Sequence, residues 1–180
     1  MNRFLEILHH AAEKKWCTNP ECNTCGAMEY RAAIRQLGDD IAVALSTLDL
    51  TELVRQPDWD EKLRLALNEI RKAEVMDRIL TAWLPQLNHQ IRLADFILFY
   101  YVRRGALFAP MSVEVLRQWR EKCIDIAVRT GDVSLVESLI CTVGDYNKYP
   151  VFAEVVSSLA ERGSYTILKA LRRKGVIYGH

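Results

Sequence analysis

The dominant apolar period in this chain is three to four residues, and that period decides the fold class before any motif is considered. In the first segment Phe4, Leu5, Leu8, Ala11 and Ala12 fall on one side of a helix. Leu63, Leu67 and Ile70 repeat the pattern further on. No stretch alternates apolar and polar residues as a half-buried strand must. Eight glycines and five prolines leave little material for long irregular loops. The expected fold is therefore all-α, with some eight to ten helices in stacked antiparallel pairs, either helical-repeat-like or an irregular bundle.

Local signals place the helix ends. A second helix is expected from about Ala27 to Leu37, with Gly38 just past its end. Asp39 or Asp40 would cap the next. Asp58 and Glu61 have the spacing of a capping box, whose carboxylates accept from free first-turn amides. Pro85 ends or kinks a helix over about Met76 to Leu84. A Phe/Tyr-rich helix should run from about Ile91 to Gly105. Ser112 would cap a long helix from Val113 to Arg129, and Gly131–Asp132 would turn the chain and cap another. Pro150 suits a first helical turn, and Ser164 would cap a last helix ending near Gly175.

The 180 residues suit a single helical domain, read as an entry segment over residues 1–37 and a stacked-helix body over 38–180. Half of the residues are hydrophobic, enough for a core. The most apolar window, residues 91–105, carries Arg92 and Asp95, and its uncharged run from Phe96 to Val102 is far shorter than the ~20 residues of a membrane span. No N-terminal run resembles a signal peptide. A cytoplasmic location is expected, where thiols stay reduced and clustered cysteines bind metal or react rather than pair.

Three of the five cysteines stand within nine residues: Cys17, Cys22 and Cys25, a C-x4-C-x2-C spacing. A C-x2-C pair lets two thiolates reach one ion from a tight turn. Cys17 follows the first helix and Cys25 precedes the second, so an ion would clamp two helix ends, and the positive end of the second helix favours thiolate at Cys25. The segment resembles a small zinc-binding loop. His10 is the expected fourth ligand of a Cys3His structural zinc site, with His9 open as the alternative. The same spacing occurs in plant-type ferredoxins, so an iron–sulfur cluster is the lesser expectation. Cys123 and Cys141 lie on apolar helical stretches and are expected to be buried thiols. No phosphate-binding loop, nucleophile elbow or H-E-x-x-H pattern is present, and the chain is expected not to be an enzyme.

Residues 125–147 resemble the second half of an ankyrin repeat. Ala127, Gly131, Val136, Leu139, Ile140, Gly144, Asp145 and Asn147 occupy roughly the family's places. Gly163 follows Gly131 by 32 residues, with Leu168, Leu171 and Gly175 at similar offsets. The family's T-P-L-H turn is replaced by residues 122–125, so the resemblance supports helix-pair stacking, ankyrin-like or HEAT-like, over residues 125–175. It implies a protein-binding surface, and the expected function is a protein-binding adaptor or regulator. Trp16, Trp59, Trp83 and Trp119 are candidate interface anchors, though such rings more often fill cores. A second reading comes from residues 152–180, which resemble a helix-turn-helix tail. Lys169, Arg172, Arg173 and Lys174 would contact DNA phosphates, giving residues 161–180 a local net charge of +4 in a chain of net +1.

Overall fold

The computed structural model describes residues 2–12, 16, 26–98, 112–141 and 148–174. Among them every regular element is helical. The chain divides into two compact units, one within Met1–Gln86, the other within Leu87–Leu107 and Ser112–His180. Residues 37 and 38, where the entry segment was expected to end, lie inside the first.

The first unit contains α1 (Arg3–Ala12), α2 (Gly26–Leu37), α3 (Asp40–Ser46), α4 (Leu50–Val54), α5 (Trp59–Leu67) and α6 (Ala73–Trp83). A 3-10 turn, Leu84–His89, follows α6, starting one residue before Pro85. Helix α1 packs on α2 and α3, α2 on α5, and α3 on α6. The apolar faces read from the sequence are the buried ones: Phe4, Leu5, Leu8 and Ala11 on α1, Tyr30, Ile34 and Leu37 on α2. Several of these helices are too short to hold themselves. Side chains tie them together through backbone atoms, Trp83 fully buried, Gln86 and Asn2 half-buried. The Trp83 Nε1–H donates to the Leu45 carbonyl at 2.7 Å. The Gln86 amide donates to the Leu48 carbonyl at 2.9 Å and accepts from the Leu50 amide at 2.9 Å, satisfying the groups left open between α3 and α4. Asn2 caps α1 by accepting from Phe4 and Leu5, and it donates to the Ala44 carbonyl at 2.6 Å.

Lys62, on α5, is only 3% exposed. Its ammonium donates to the Pro57 carbonyl at 2.9 Å and lies 5.6 Å from the centre of the Trp16 ring. The Tyr30 hydroxyl donates to the Lys62 carbonyl, and the Tyr30 and Trp16 rings meet in a tilted pair at 5.3 Å. Burial holds the Lys62 pKa below its usual value, opposed by the nearby Asp58 carboxylate.

The second unit contains α7 (Ile91–Leu98), α8 (Val113–Thr130), α9 (Val133–Cys141), α10 (Lys148–Glu161) and α11 (Tyr165–Arg173). Helix α9 touches α7, α8, α10 and α11, while α10 also packs on α8 and α11. A 32-residue register runs through α8 to α11. Gly131 and Gly163 both turn the chain with positive φ, at +74° and +70°, which an L side chain resists. Buried Cys123, Ala127, Leu135 and Val136 are matched at that interval by buried Val155, Leu159, Ile167 and Leu168.

Some caps are as expected and some are not. Ser112 accepts from the Val115 amide at 3.3 Å, and Asp132 accepts from the Ser134 and Leu135 amides. Gly38 has φ +53°. Asp58 stands before α5 but makes no capping bond: its backbone is left-handed, φ +52°, whereas a capping residue is extended. The Glu61 carboxylate bonds Arg64 instead, so the expected capping box is not formed. Asp39 and Ser164 precede α3 and α11 without side-chain capping bonds. Asp49, with extended backbone, caps α4 by accepting from the Thr51 amide at 2.9 Å. The Phe/Tyr-rich helix is described as far as Leu98; its expected continuation to Gly105 lies outside the described residues.

Candidate metal centre and basic helix face

Chemistry-bearing side chains gather at two places: the paired ends of α1 and α2, and the outer side of α11. Packing of α1 on α2 sets the end of α1 beside the start of α2. A cleft of about 210 Å³ lies between them, lined by His10 and Ala11 from α1 and by Gly26, Glu29 and Tyr30 from α2. His10 is 67% exposed, and its Nε2 lies 3.9 Å from Glu29 Oε2. At that separation the pair is a loose ion pair when the imidazole is protonated, and a hydrogen bond is not made. Gly26, on the same cleft, directly follows Cys25 in the chain.

Cys17, Cys22 and Cys25 lie outside the described residues. Among the described residues no three His, Cys, Asp or Glu side chains converge on one point. The donor chemistry still suits zinc. An exposed, adaptable imidazole stands at the chain exit from the cysteine segment, with a carboxylate beside its Nε2. Metal-bound histidines commonly donate their second ring N–H to a carboxylate; Glu29 stands near His10 Nε2, at 3.9 Å, without making that bond. His9 is also exposed, but it does not line the cleft.

Cys123 is fully buried in the second unit. Burial pushes its thiol up to about 12, and the Asp95 charge adds to the shift. A thiol so held is a core side chain and a poor nucleophile. The Cys141 side chain lies outside the described residues. Trp59, Trp83 and Trp119 are buried, which removes three of the four candidate interface anchors: each ring is core. Trp16 is half-buried against Tyr30 and Lys62.

Lys169, Arg172, Arg173 and Lys174 are all exposed at the C-terminal half of α11 and just after it. The structure separates them by what they face. Lys174 is paired with Glu137 of α9 at 3.0 Å. Arg162, in the turn before α11, is paired with Glu121 at 2.9 Å and with Asp125, both on α8. Two of the five bases that made this tail look strongly cationic are therefore matched by carboxylates within the second unit. Lys169 and Arg173 form no ion pair with a described residue. Tyr165 is 63% exposed on the same helix, a feature that charge counting passes over. It was legible in principle: Tyr165, Lys169 and Arg173 recur every four residues.

Comparison with family models, with curated proteins and with solved structures finds no match for this chain. Among the described residues no helix is long and apolar enough to cross a membrane.

Proposed function

We propose that this chain is a non-enzymatic interaction protein whose N-terminal helix pair is stapled by a structural zinc ion. The ligands would be Cys17, Cys22, Cys25 and His10. The observation that carries the reading is the position of His10. It shares a cleft with Gly26, the residue after Cys25, and faces Glu29 on the first turn of α2. That favours His10 over His9 as the fourth ligand, with Glu29 orienting the imidazole. Zinc supplies no chemistry in such a closed site; it joins the ends of α1 and α2 and adds stability that free thiols cannot match.

The partner in this reading is another protein, bound on a helical surface. The second unit supports it. Helix α8 meets α10 and α9 meets α11, the contact pattern of two stacked helix pairs. Stacks of that kind present extended faces to partners. A cytoplasmic location accords with reduced, metal-holding thiols.

Elemental mass spectrometry on tag-free protein, purified under reducing conditions, tests the zinc site. About one zinc per chain is expected. Cys22→Ser should lose the metal and lower the melting temperature. His10→Ala should weaken retention roughly tenfold or more, while His9→Ala leaves it unchanged. Iron with visible absorbance would replace the zinc reading by a cluster. Metal-free protein whose melting temperature is unmoved by added zinc would end it.

A further inference from the structure

We propose that the outer ridge of α11 binds single-stranded nucleic acid. Tyr165, Lys169 and Arg173 lie at i, i+4 and i+8 on the exposed side of α11, away from the buried seam of Ile167, Leu168 and Leu171. The ridge spans roughly 12 Å, with about 6 Å between successive residues. Helix α11 contains no Asp or Glu, so nothing on it neutralises the two bases. Arg172 flanks the same side and is exposed. An exposed aromatic ring in line with cations is what a single strand requires: the ring takes a base and the cations follow the backbone.

The internal register argues against a further helix pair of this chain's own kind as the occupant. At the α8–α10 step Glu121 and Asp125 hold Arg162; 32 residues later the matching positions are Ala153 and Ser157. At the α9–α11 step Glu137 holds Lys174; the matching position is Lys169. A second copy stacking by the same rule would meet neutral residues and a like charge. The whole chain, at net +1, has no general attraction for polyanions, so the ridge must act locally. This inference is independent of the zinc site.

The test is fluorescence anisotropy with a labelled oligothymidylate of about 20 nucleotides at about 50 mM salt. Binding is expected, with log K falling against log salt at a slope between about −1.4 and −2, the release expected for two or three phosphate contacts. Tyr165→Ala should weaken binding about tenfold, and Tyr165→Phe should restore most of it. Lys169→Glu with Arg173→Glu should abolish it. Lys72→Glu, which changes an exposed base in the first unit, should bind like the unaltered chain. Circular dichroism checks the fold of each variant; if the charge reversals unfold α11, Lys169→Gln with Arg173→Gln is measured instead. Absence of binding, or binding indifferent to the ridge variants, would overturn the proposal. So would an equal loss in Lys72→Glu, which would point to bulk charge. Duplex of the same length binding as tightly, with Tyr165→Ala silent, would replace strand stacking by duplex contact. A glutamate-rich peptide binding where the oligonucleotide does not would assign the ridge to an acidic protein.

Discussion

In the first unit Trp83 reaches back to the Leu45 carbonyl and Gln86 to Leu48 and Leu50, through neutral hydrogen bonds. In the second, Arg162 and Lys174 reach back to Glu121, Asp125 and Glu137 through ion pairs open to solvent. The first set of bonds fixes helices that share no common spacing. The second decorates helices already set by a 32-residue register. The buried Trp83 bond is costly to break because it strands a carbonyl away from water, and the half-buried Gln86 bonds less so. A solvated ion pair contributes little beyond its geometry. The first unit should therefore depend on single tethers, and the second on turns and seams repeated along the chain.

The largest effect should come from Trp83. Trp83→Ala removes a fully buried ring and should cost about 3–5 kcal/mol in urea unfolding. Trp83→Phe separates packing from tether: it keeps most of the ring and loses the bond to Leu45, for an expected ~1–3 kcal/mol. A loss of only a few tenths there would mean that volume alone holds α6 against α3, and the contrast between the units would fail.

The pH response should distinguish them next. Cys123, in the second unit, has its thiol pushed up to about 12 by burial and then by Asp95. The native state thus holds this proton after the unfolded chain would release it. The stabilisation is fully present below the unfolded thiol value of about 8.5 and is lost as pH rises towards 12, at up to ~1.4 kcal/mol per unit. Tyr30, in the first unit, is shifted the same way by burial and then by Glu61, but its loss begins only near its unfolded value of about 10. Lys62 acts in the opposite sense: its lowered value means that stability recovers as pH rises towards the unfolded lysine range. Stability measured across pH 8–10 should fall, and Cys123→Ala should flatten that fall. An unflattened curve would show that another group carries it.

How much of this was legible depended on how local the cause is. The ends marked by Gly38, Gly131 and Ser112 could be read because each requirement is met within a few residues. Asp58 shows the limit: the capping spacing was right, but its left-handed backbone, which spacing cannot reveal, overrode it. The burial of Trp59, Trp83 and Trp119 follows the commoner role of such rings, although composition cannot say which partner each one meets. Nor could any local signal reveal that the chain divides after Gln86, because the contacts that gather the first unit, such as Trp83 with Leu45, span 38 residues. At the candidate metal centre the sequence supplied candidate ligand types and spacing and put His10 before His9; packing adds that His10, and not His9, lines the cleft beside Gly26. On α11 it supplied the charges but not which of them are already paired.

The register itself is open to a smaller test. Gly131→Ala and Gly163→Ala should each cost about 1 kcal/mol, because both sites need positive φ. A Cβ at either glycine would meet no atom within 4 Å, so the cost is conformational and not steric. The two losses should agree within a few tenths. A cost at one position alone would mean that the turns are not equivalent and that the 32-residue spacing is incidental.

Smallest of all should be Arg162→Ala, below ~1 kcal/mol even though the guanidinium meets two carboxylates. Glu121 and Asp125 are about half exposed, so water returns much of what the variant removes. The informative quantity is the coupling from a double-mutant cycle with Asp125→Asn, measured at low and high salt. Coupling that fades with salt would identify a screened surface pair laid over an apolar seam, Val155 and Leu159 doing the holding. Coupling that survives salt and exceeds the loss from Gly163→Ala would reverse the assignment. The α8–α10 step would then depend on one long-range tether, and the second unit would obey the rule argued for the first.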